Sequence, residues 1–201
     1  MTKNVAILLF NEVEVLDFAG PFEVFSITKS PGGDSLCNVY TVAETTQPIL
    51  ARNHLSINPD YTLENHPAPD IVIIPGGFGS RAALKQPNII KWVQKSAQQA
   101  ELVLSVCTGS LILAKAGLLN GLSATTHHHA FEELRQLAPQ TTVITDQRFV
   151  DNDKILTSGG ISAGIDLSFY VIAKLYGEAV AIQTAQYMEF DILLFVHEED
   201  S

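Results

Sequence analysis

Short apolar runs recur along the chain and alternate with longer amphipathic stretches. Six of these runs are predicted β-strands: residues 5–10, 38–43, 71–74, 102–106, 142–145 and 155–156. Three of them, at 5–10, 71–74 and 102–106, are almost continuously apolar, which is typical of parallel strands covered by helices on both faces. The pattern therefore predicts an α/β fold.

Helical periodicity occupies the segments between these runs. The predicted helices cover residues 21–29, 88–99, 108–116 and 161–176. The first should open with Pro21 in its first turn, where the missing N–H is harmless. The last is too apolar for an exposed helix, so we expect it at the centre of the fold or at an interface.

Short antiparallel strands are expected at residues 54–59 and 149–156, with turns at 52–53 and 151–153. The sequence shows no Ser/Gly linker, low-complexity tract or internal repeat. We therefore expect residues 1–201 to form a single domain.

Composition narrows the class of protein. The 201 residues carry 12 Lys+Arg against 22 Asp+Glu, a formal net charge of −10 that would repel a phosphate backbone. The apolar run after Met1 is too short for a secretory signal, and no segment approaches the ~20 apolar residues of a membrane span. We expect a cytoplasmic protein with no nucleic-acid or membrane partner. Its two cysteines are too few for a disulfide scaffold and should be free thiols.

Cys107 has the sequence context of a nucleophile. A buried strand passes straight into a helix at residues 105–110, Ser-Val-Cys-Thr-Gly-Ser, which is the layout of a nucleophile elbow. A helix N-terminus favours the thiolate, and Thr108 could donate its hydroxyl or its backbone N–H to the sulfur. The alternative is a buried cysteine that ends a strand.

A single carboxylate, Asp17, lies among apolar residues just beyond the first predicted strand. If that strand is parallel to the strand before Cys107, both loops emerge at one sheet edge and Asp17 can face the sulfur. It could then shuttle protons, with its pKa raised by burial and by the charge of the sulfur. A helix cap is the alternative role.

Two glycines, Gly76 and Gly77, follow the buried run at 71–74. Their backbone N–H groups could turn toward a ligand as oxyanion-type donors, although two glycines after a strand also make an ordinary tight turn. Three such loops after three buried strands indicate one shared site.

The consecutive histidines at 127–129 invite a metal interpretation. Adjacent residues of an extended chain point to opposite faces, and no carboxylate or cysteine lies at ligand spacing nearby. We therefore expect no metal and assign His127 to the substrate pocket, together with Ile161 in the glycine-containing loop 158–164. Asp166 is expected to be a dipole partner in the first turns of the last helix.

Taken together, these segments resemble the ThiJ/PfpI superfamily, which has the class I glutamine amidotransferase-like fold, and within it the isonitrile hydratases. The similar segments lie in the family's order over nearly the whole chain: residues 7–13, 16–17, 20–21, 74–77, 105–110, 124–127 and 159–166. The resemblance implies a flavodoxin-like three-layer αβα sandwich with a central, mostly parallel sheet, a nucleophile elbow and a homodimer.

Two details favour the hydratase branch of the superfamily. The protease-like branch has His directly after the nucleophile, where this chain has Thr108, and the glyoxalase-like branch uses Glu where this chain has Asp17. His128 stands where the hydratases have an aromatic residue and is expected to reshape the pocket. Related domains also form the sensor half of transcription regulators, but 201 residues leave no room for an appended helix-turn-helix pair.

The resemblance implies a cofactor-independent lyase that hydrates a small electrophile, an isonitrile R–N≡C, to an N-substituted formamide. Cys107 would form a thioimidate, Asp17 would deliver and remove protons, and Thr108 would orient the sulfur. The N–H groups of Gly77 and of the elbow would stabilise developing charge. The alternatives are another cysteine-dependent hydrolase or glyoxalase, or a non-catalytic redox or electrophile sensor that reads Cys107 oxidation.

Overall fold

A seven-stranded sheet forms the centre of the fold in the computed structural model, which describes residues 2–192. The strands of the chain are β1 (Lys3–Leu8), β2 (Cys37–Ala43), β3 (Ile49–Leu50), β4 (Ser56–Ile57), β5 (Tyr61–Thr62), β6 (Ile71–Ile74), β7 (Leu102–Val106), β8 (Ser123–Ala124), β9 (Thr142–Val143), β10 (Phe149–Asn152) and β11 (Ile155–Ser158). The helices are α1 (Val15–Ile27), α2 (Ser80–Ala83), α3 (Pro87–Gln99), α4 (Gly109–Lys115), α5 (Phe131–Leu137), α6 (Ala163–Tyr176) and α7 (Glu178–Tyr187).

The main sheet has the strand order β10-β11-β7-β6-β1-β2-β5. Every neighbouring pair is parallel except the antiparallel hairpin of β10 and β11. After β1 the chain builds the sheet toward β5, and from β6 it builds in the opposite direction, so the sheet has a switch point between β1 and β6. Loops that leave these strands toward opposite faces open a crevice at the carboxyl edge.

Helices cover both faces of the sheet. Helices α1, α6 and α7 pack against one another in one layer, while α4 packs against α2, α3 and α5 in the other. The result is a flavodoxin-like three-layer αβα sandwich, which confirms the predicted fold class.

The central strands are almost wholly buried. In β6 and β7, and in β1 from Val5 onward, every residue is at most 4% exposed, as expected for parallel strands covered on both faces. Helix α6, expected at the centre of the fold or at an interface, packs in an outer layer against both α1 and α7 and buries apolar residues such as Leu167, Phe169 and Ile172. Within residues 2–192, no helix combines the length and the apolar character that crossing a bilayer requires.

Most predicted strands are confirmed with small changes of boundary. β6 and β7 match the predicted runs, β2 begins one residue early, and β1 ends at Leu8 rather than at residue 10. Antiparallel pairs also form between β3 and β4 and between β10 and β11. The run at 142–145 differs, because β9 lies outside the main sheet and pairs in parallel with β8. The hydrophobicity of a short run does not indicate which strand it will pair with.

Helix α1 corrects the prediction that a helix begins at Pro21. The helix begins at Val15, so Pro21 lies inside it and Asp17 lies in its first turn. Pro21 has no N–H to donate to the Asp17 carbonyl, which costs about 3 kcal/mol in an ordinary helix. Burial of Phe18 and Phe25 in the core offsets that cost.

Gly109→Ala should prevent stable packing where β7 turns into α4. A Cβ on Gly109 would lie 1.9 Å from the backbone oxygen of Ile74. We expect the free energy of unfolding, measured with urea, to fall by about 3 kcal/mol or more. Gly32→Ala is the control, because its Cβ would meet no atom closer than 3.6 Å. Equal stability of the two variants would contradict the packing described.

Candidate active site

Four loops converge at the carboxyl edge of the sheet, beside the switch point between β1 and β6. They follow β1, β6, β7 and β11, and they bring Asp17, Gly76, Cys107 and Ile161 together. The loops that the sequence marked as candidates therefore meet in one place.

Cys107 occupies a strained turn between β7 and α4. Its φ is 57°, in the left-handed region that side-chain-bearing residues rarely adopt. The Cys107 N–H donates to the carbonyls of Ser158 and Gly159 at 3.2 and 3.0 Å. The Cys107 carbonyl accepts the Thr126 hydroxyl at 3.0 Å. This is the geometry of a nucleophile elbow, in which surrounding hydrogen bonds hold a strained residue in place.

The carboxyl group of Asp17 is fully buried beside the elbow. Its Oδ2 accepts the Gly76 N–H at 3.0 Å. Its Oδ1 has no partner of full hydrogen-bond geometry among residues 2–192, although the Cys107 thiol and the Ile161 N–H lie beside the carboxyl group as weaker donors. Burial outweighs these donors and raises the pKa of Asp17 to about 7. A carboxyl group with this pKa can hold or release a proton at neutral pH.

Burial, followed by the charge of Asp17, raises the pKa of the Cys107 thiol to about 12. Hydrogen bonds from the N–H groups of Thr108 and Ile161 act in the opposite direction. The helix N-terminus was expected to favour the thiolate of Cys107, whereas burial and the nearby Asp17 carboxylate favour the thiol. Asp17 and Cys107 are thus the acid–thiol pair of this site, and burial together with the charge of Asp17 favours the thiol form of Cys107.

Thr108 positions the sulfur with its backbone rather than with its hydroxyl. Its N–H is hydrogen-bonded to the Cys107 sulfur. Its hydroxyl oxygen instead accepts the Gly77 N–H and the Ser80 hydroxyl, both at 3.0 Å. Thr108 was expected to donate either its N–H or its hydroxyl to the sulfur, and it donates its N–H. Its hydroxyl instead links the elbow to the glycine loop, residues 76–77.

Gly76 and Gly77 direct their N–H groups at protein acceptors, which corrects their assignment as oxyanion donors. The Gly76 N–H donates to Asp17, and the Gly77 N–H donates to the Thr108 hydroxyl oxygen. A Cβ on Gly76 would lie 2.4 Å from the Thr108 nitrogen, so only glycine lets this loop approach the elbow. The two glycines therefore hold the acid and the elbow in position.

Ile161 brings a backbone donor to the acid–thiol pair. Its φ of 55° is unusual for a β-branched residue, and its N–H is directed at both members of the pair. The loop is anchored by the Gly159 N–H, which donates to the Arg148 carbonyl at 2.9 Å. The Arg148 side chain in turn forms an ion pair with Asp166, which lies in the first turn of α6 as expected.

An open pocket of about 390 Å³ leads to Cys107. Besides the elbow and Gly77, it is lined by Glu14, Phe78, Arg81, His127, His129, Ala130 and Ile161. His127 and Ile161 thus lie where the sequence analysis placed them, beside the nucleophile candidate.

The rings of the three histidines lie against one another, with His127 stacked on His128 and His129 tilted against both. The ring centroids are 4.3 Å apart for His127 and His128 and 4.0 Å apart for His128 and His129. Within residues 2–192, no three His, Cys, Asp or Glu side chains are grouped so that they could hold a metal ion. His128 is exposed and does not line the pocket, although it stacks on His127, which does, and His129 lines the pocket as well.

Sequence reasoning missed five pocket residues, Glu14, Phe78, Arg81, His129 and Ala130. The first two lie in the loops after β1 and β6, so their position after a buried strand was a signal that could have found them. Arg81 lies on α2 and forms an ion pair with Glu133 of α5 at 2.6 Å, a contact that no local pattern indicates.

The fold and the site define an α/β protein with a cysteine at a nucleophile elbow beside a buried carboxyl group. Comparison with known protein families gives the same class. The DJ-1/PfpI family matches residues 3–174, and the chain belongs to this family. A ThiJ/PfpI family protein from Pseudomonas syringae has a crystal structure with a TM-score of 0.85 and 27% identity, covering 99% of this chain and 80% of the other. DJ-1beta of Drosophila melanogaster shares the fold, with a TM-score of 0.82 at 19% identity over 95% of this chain and 100% of that one.

Relatives in the family differ in function. The chain is 32% identical to an isonitrile hydratase of Pseudomonas putida, over 96% of its own length and 78% of the relative's. It is 29% identical to the HTH-type transcriptional regulator CdhR of Pseudomonas aeruginosa, over 92% of this chain and 54% of the regulator. The chain thus spans about half the length of that regulator. Family membership alone is compatible with more than one function, so the site has to decide between them.

Asp17→Asn should make Cys107 more reactive. Removing the carboxylate charge lowers the pKa of the thiol, while the amide oxygen can still accept the Gly76 N–H. At pH 8 the rate of alkylation by iodoacetamide should rise about tenfold for each unit by which that pKa falls. Mass spectrometry of the Cys107 peptide measures the rate. If Asp17→Asn reacts no faster than the native protein at any pH, the charge of Asp17 does not raise the pKa of the Cys107 thiol.

Asp17→Asn should also stabilise the fold above neutral pH. The pKa of Asp17 is raised from 3.8 to about 7, so the folded state binds this proton more tightly and stability falls as the pH rises through that range. Above it the full penalty, up to about 4 kcal/mol, is present, and the uncharged Asn removes it. The gain in the free energy of unfolding should therefore be larger at pH 8 than at pH 4. A gain independent of pH would rule out a buried carboxyl group of raised pKa.

Proposed function

We propose that the protein is an isonitrile hydratase, which converts R–N≡C to the N-substituted formamide R–NH–CHO. The observation that carries the proposal is the fully buried Asp17 carboxyl group against the Cys107 thiol at the end of a pocket. Hydration of an isonitrile needs a nucleophile and a group that both gives and takes a proton. The similarity to a relative named isonitrile hydratase supports this choice of substrate.

In the first step the sulfur and the hydrogen of the Cys107 thiol both add to the isonitrile carbon. Asp17, as carboxylate, takes the thiol proton while the sulfur forms its bond to carbon, and it then gives that proton to the same carbon. The product is the thioimidate Cys107–S–CH=N–R, which retains every atom of the thiol and the isonitrile. Transfer of the proton during attack avoids a free buried thiolate, whose formation the raised pKa of Cys107 opposes.

Water completes the reaction. Asp17 takes a proton from water as the water oxygen attacks the thioimidate carbon, and it passes this proton to nitrogen, giving R–NH–CH(OH)–S–Cys107. The hydroxyl proton then moves by way of Asp17 to the departing sulfur, and R–NH–CHO is released. One water is consumed, the acid–thiol pair is restored, and the steps need no cofactor.

Backbone groups stabilise the sulfur in this scheme. The N–H groups of Thr108 and Ile161 face the sulfur, and the Gly76 N–H holds Asp17. These donors are in place before the reaction, so charge that develops on the departing sulfur meets oriented dipoles without reorganisation.

A homodimer in the cytoplasm is part of the proposal. The resemblance to the superfamily supports the dimer, and the formal charge of −10 supports a small-molecule substrate over a nucleic-acid partner. Light scattering should give about twice the 21.9 kDa mass of one chain.

A sensor that reads Cys107 oxidation fits this site less well. Oxidation proceeds through the thiolate, and burial together with Asp17 holds the pKa of the thiol at about 12. A glyoxalase or hydrolase would use the same pair on a different electrophilic carbon. Turnover of methylglyoxal without turnover of isonitriles would favour that alternative.

Incubation with an alkyl isonitrile should yield the N-alkyl formamide, followed by NMR. Cys107→Ala should reduce the rate to that without protein, because no thioimidate can form, and Asp17→Asn should lower kcat by about 10²–10⁴-fold. Cys37→Ala is the matched control, because this second free cysteine is buried against the Tyr176 hydroxyl at 3.7 Å, and its loss should leave kcat unchanged. Full activity without Cys107, or no formamide from any alkyl isonitrile, would refute the proposal.

A further inference from the structure

Glu14 brings a second carboxylate to the pocket. It directly precedes α1, and its N–H donates to the Gly76 carbonyl at 3.0 Å, which fixes its backbone at the pocket wall. Among residues 2–192, its side chain forms no ion pair or hydrogen bond. Its negative charge acts to raise the pKa of both Asp17 and His127. Glu14 therefore adds negative charge to the space between these two residues, where a substrate must lie.

Arg52 and Arg81, near the pocket, each form an ion pair. Arg81 of the pocket wall forms an ion pair with Glu133 at 2.6 Å. Arg52 lies 4.4 Å from the centre of the Phe78 ring and forms an ion pair with Glu12 at 2.8 Å. Burial, followed by the charges of His128, His129 and Arg81, lowers the pKa of His127 and so favours its neutral ring. Of the charged side chains on the pocket wall, Arg81 is thus paired with another side chain among residues 2–192, whereas Glu14 is not.

We propose that Glu14 makes the Cys107 pocket selective for electrophiles whose tail carries a positive charge, such as a protonated amine, over those with an anionic tail. The choice of a cationic isonitrile as substrate rests on the proposed function. A charge on a pocket wall acts on a ligand through less solvent than a charge on an open surface, so it is screened less. The overall charge of −10 acts in the same direction at longer range.

Two methanethiosulfonates of opposite charge measure this selectivity at Cys107 without any turnover. One reagent carries a trimethylammonium group and the other a sulfonate. Each reacts with the Cys107 thiolate to form a mixed disulfide and release methanesulfinate. The same Cys107 thiolate attacks both reagents. The ratio of the two rate constants is therefore independent of the pKa of Cys107. Dividing by the same ratio for β-mercaptoethanol removes the intrinsic reactivity of the reagents.

At pH 8 and low salt, the native protein should favour the cationic reagent, and Glu14→Gln should lower the normalised ratio about tenfold. The matched control is Glu23→Gln, which removes an exposed carboxylate of α1 roughly 13 Å further along the helix and should change the ratio less than about twofold. Loss of Glu14 also lowers the pKa of Asp17, which favours the cationic reagent and so cannot produce the expected fall. Cys37 can also be labelled, so the labelling rate of the Cys107→Ala variant, in which Cys37 is the remaining cysteine, is subtracted.

A second comparison uses a dimethylaminopropyl isonitrile and a neutral alkyl isonitrile of equal length. The ratio of their kcat/KM values, cationic over neutral, should fall in Glu14→Gln. If neither isonitrile reacts but the reagent ratio still depends on Glu14, the charge selectivity stands and isonitrile hydration is wrong. If isonitriles react but neither ratio depends on Glu14, or the native protein favours the sulfonate reagent, the selectivity is wrong and hydration stands.

Discussion

The buried carboxyl group of Asp17 is the constraint on which the rest of the site depends. A carboxylate in an apolar interior is costly unless hydrogen bonds compensate for the lost water. Here one N–H, from Gly76, makes a full hydrogen bond, and the Cys107 thiol and the Ile161 N–H contribute weaker ones. The uncompensated remainder raises the pKa to about 7. A group that is ordinarily ionised at neutral pH can then carry protons between sulfur, substrate and water.

Holding that carboxyl group requires the segments that follow four strands, β1, β6, β7 and β11, to approach one another closely. Gly76 and Gly109 approach neighbouring backbone more closely than any Cβ allows. The Thr108 hydroxyl fastens the elbow to the glycine loop, and α1 keeps Asp17 in its first turn despite a proline in its interior. Strained φ angles at Cys107 and Ile161 complete the arrangement. The strained backbone and the buried carboxyl group destabilise the fold at this site. Burial of the apolar side chains of the parallel strands beneath it offsets that cost.

The strands beside the site and the elbow at Cys107 could be predicted, because runs such as 71–74 are continuously apolar and glycines follow them within three residues. The start of α1 could not, because Pro21 is a strong local start signal and the packing that overrides it is tertiary. The roles of Gly76 and Gly77 could not either, because a glycine pattern shows backbone freedom without showing which acceptor an N–H will meet. The raised pKa of the thiol depends on burial and on a carboxylate distant in sequence, neither of which a helix terminus encodes.

Infrared difference spectroscopy of the native protein against Asp17→Asn measures the protonation of this carboxyl group directly. The C=O stretching band of a protonated carboxyl group should be present at acid pH and should disappear with a midpoint near pH 7. A midpoint near the ordinary Asp value of about 4 would contradict a proton-sharing acid–thiol pair, and so would the absence of any such band.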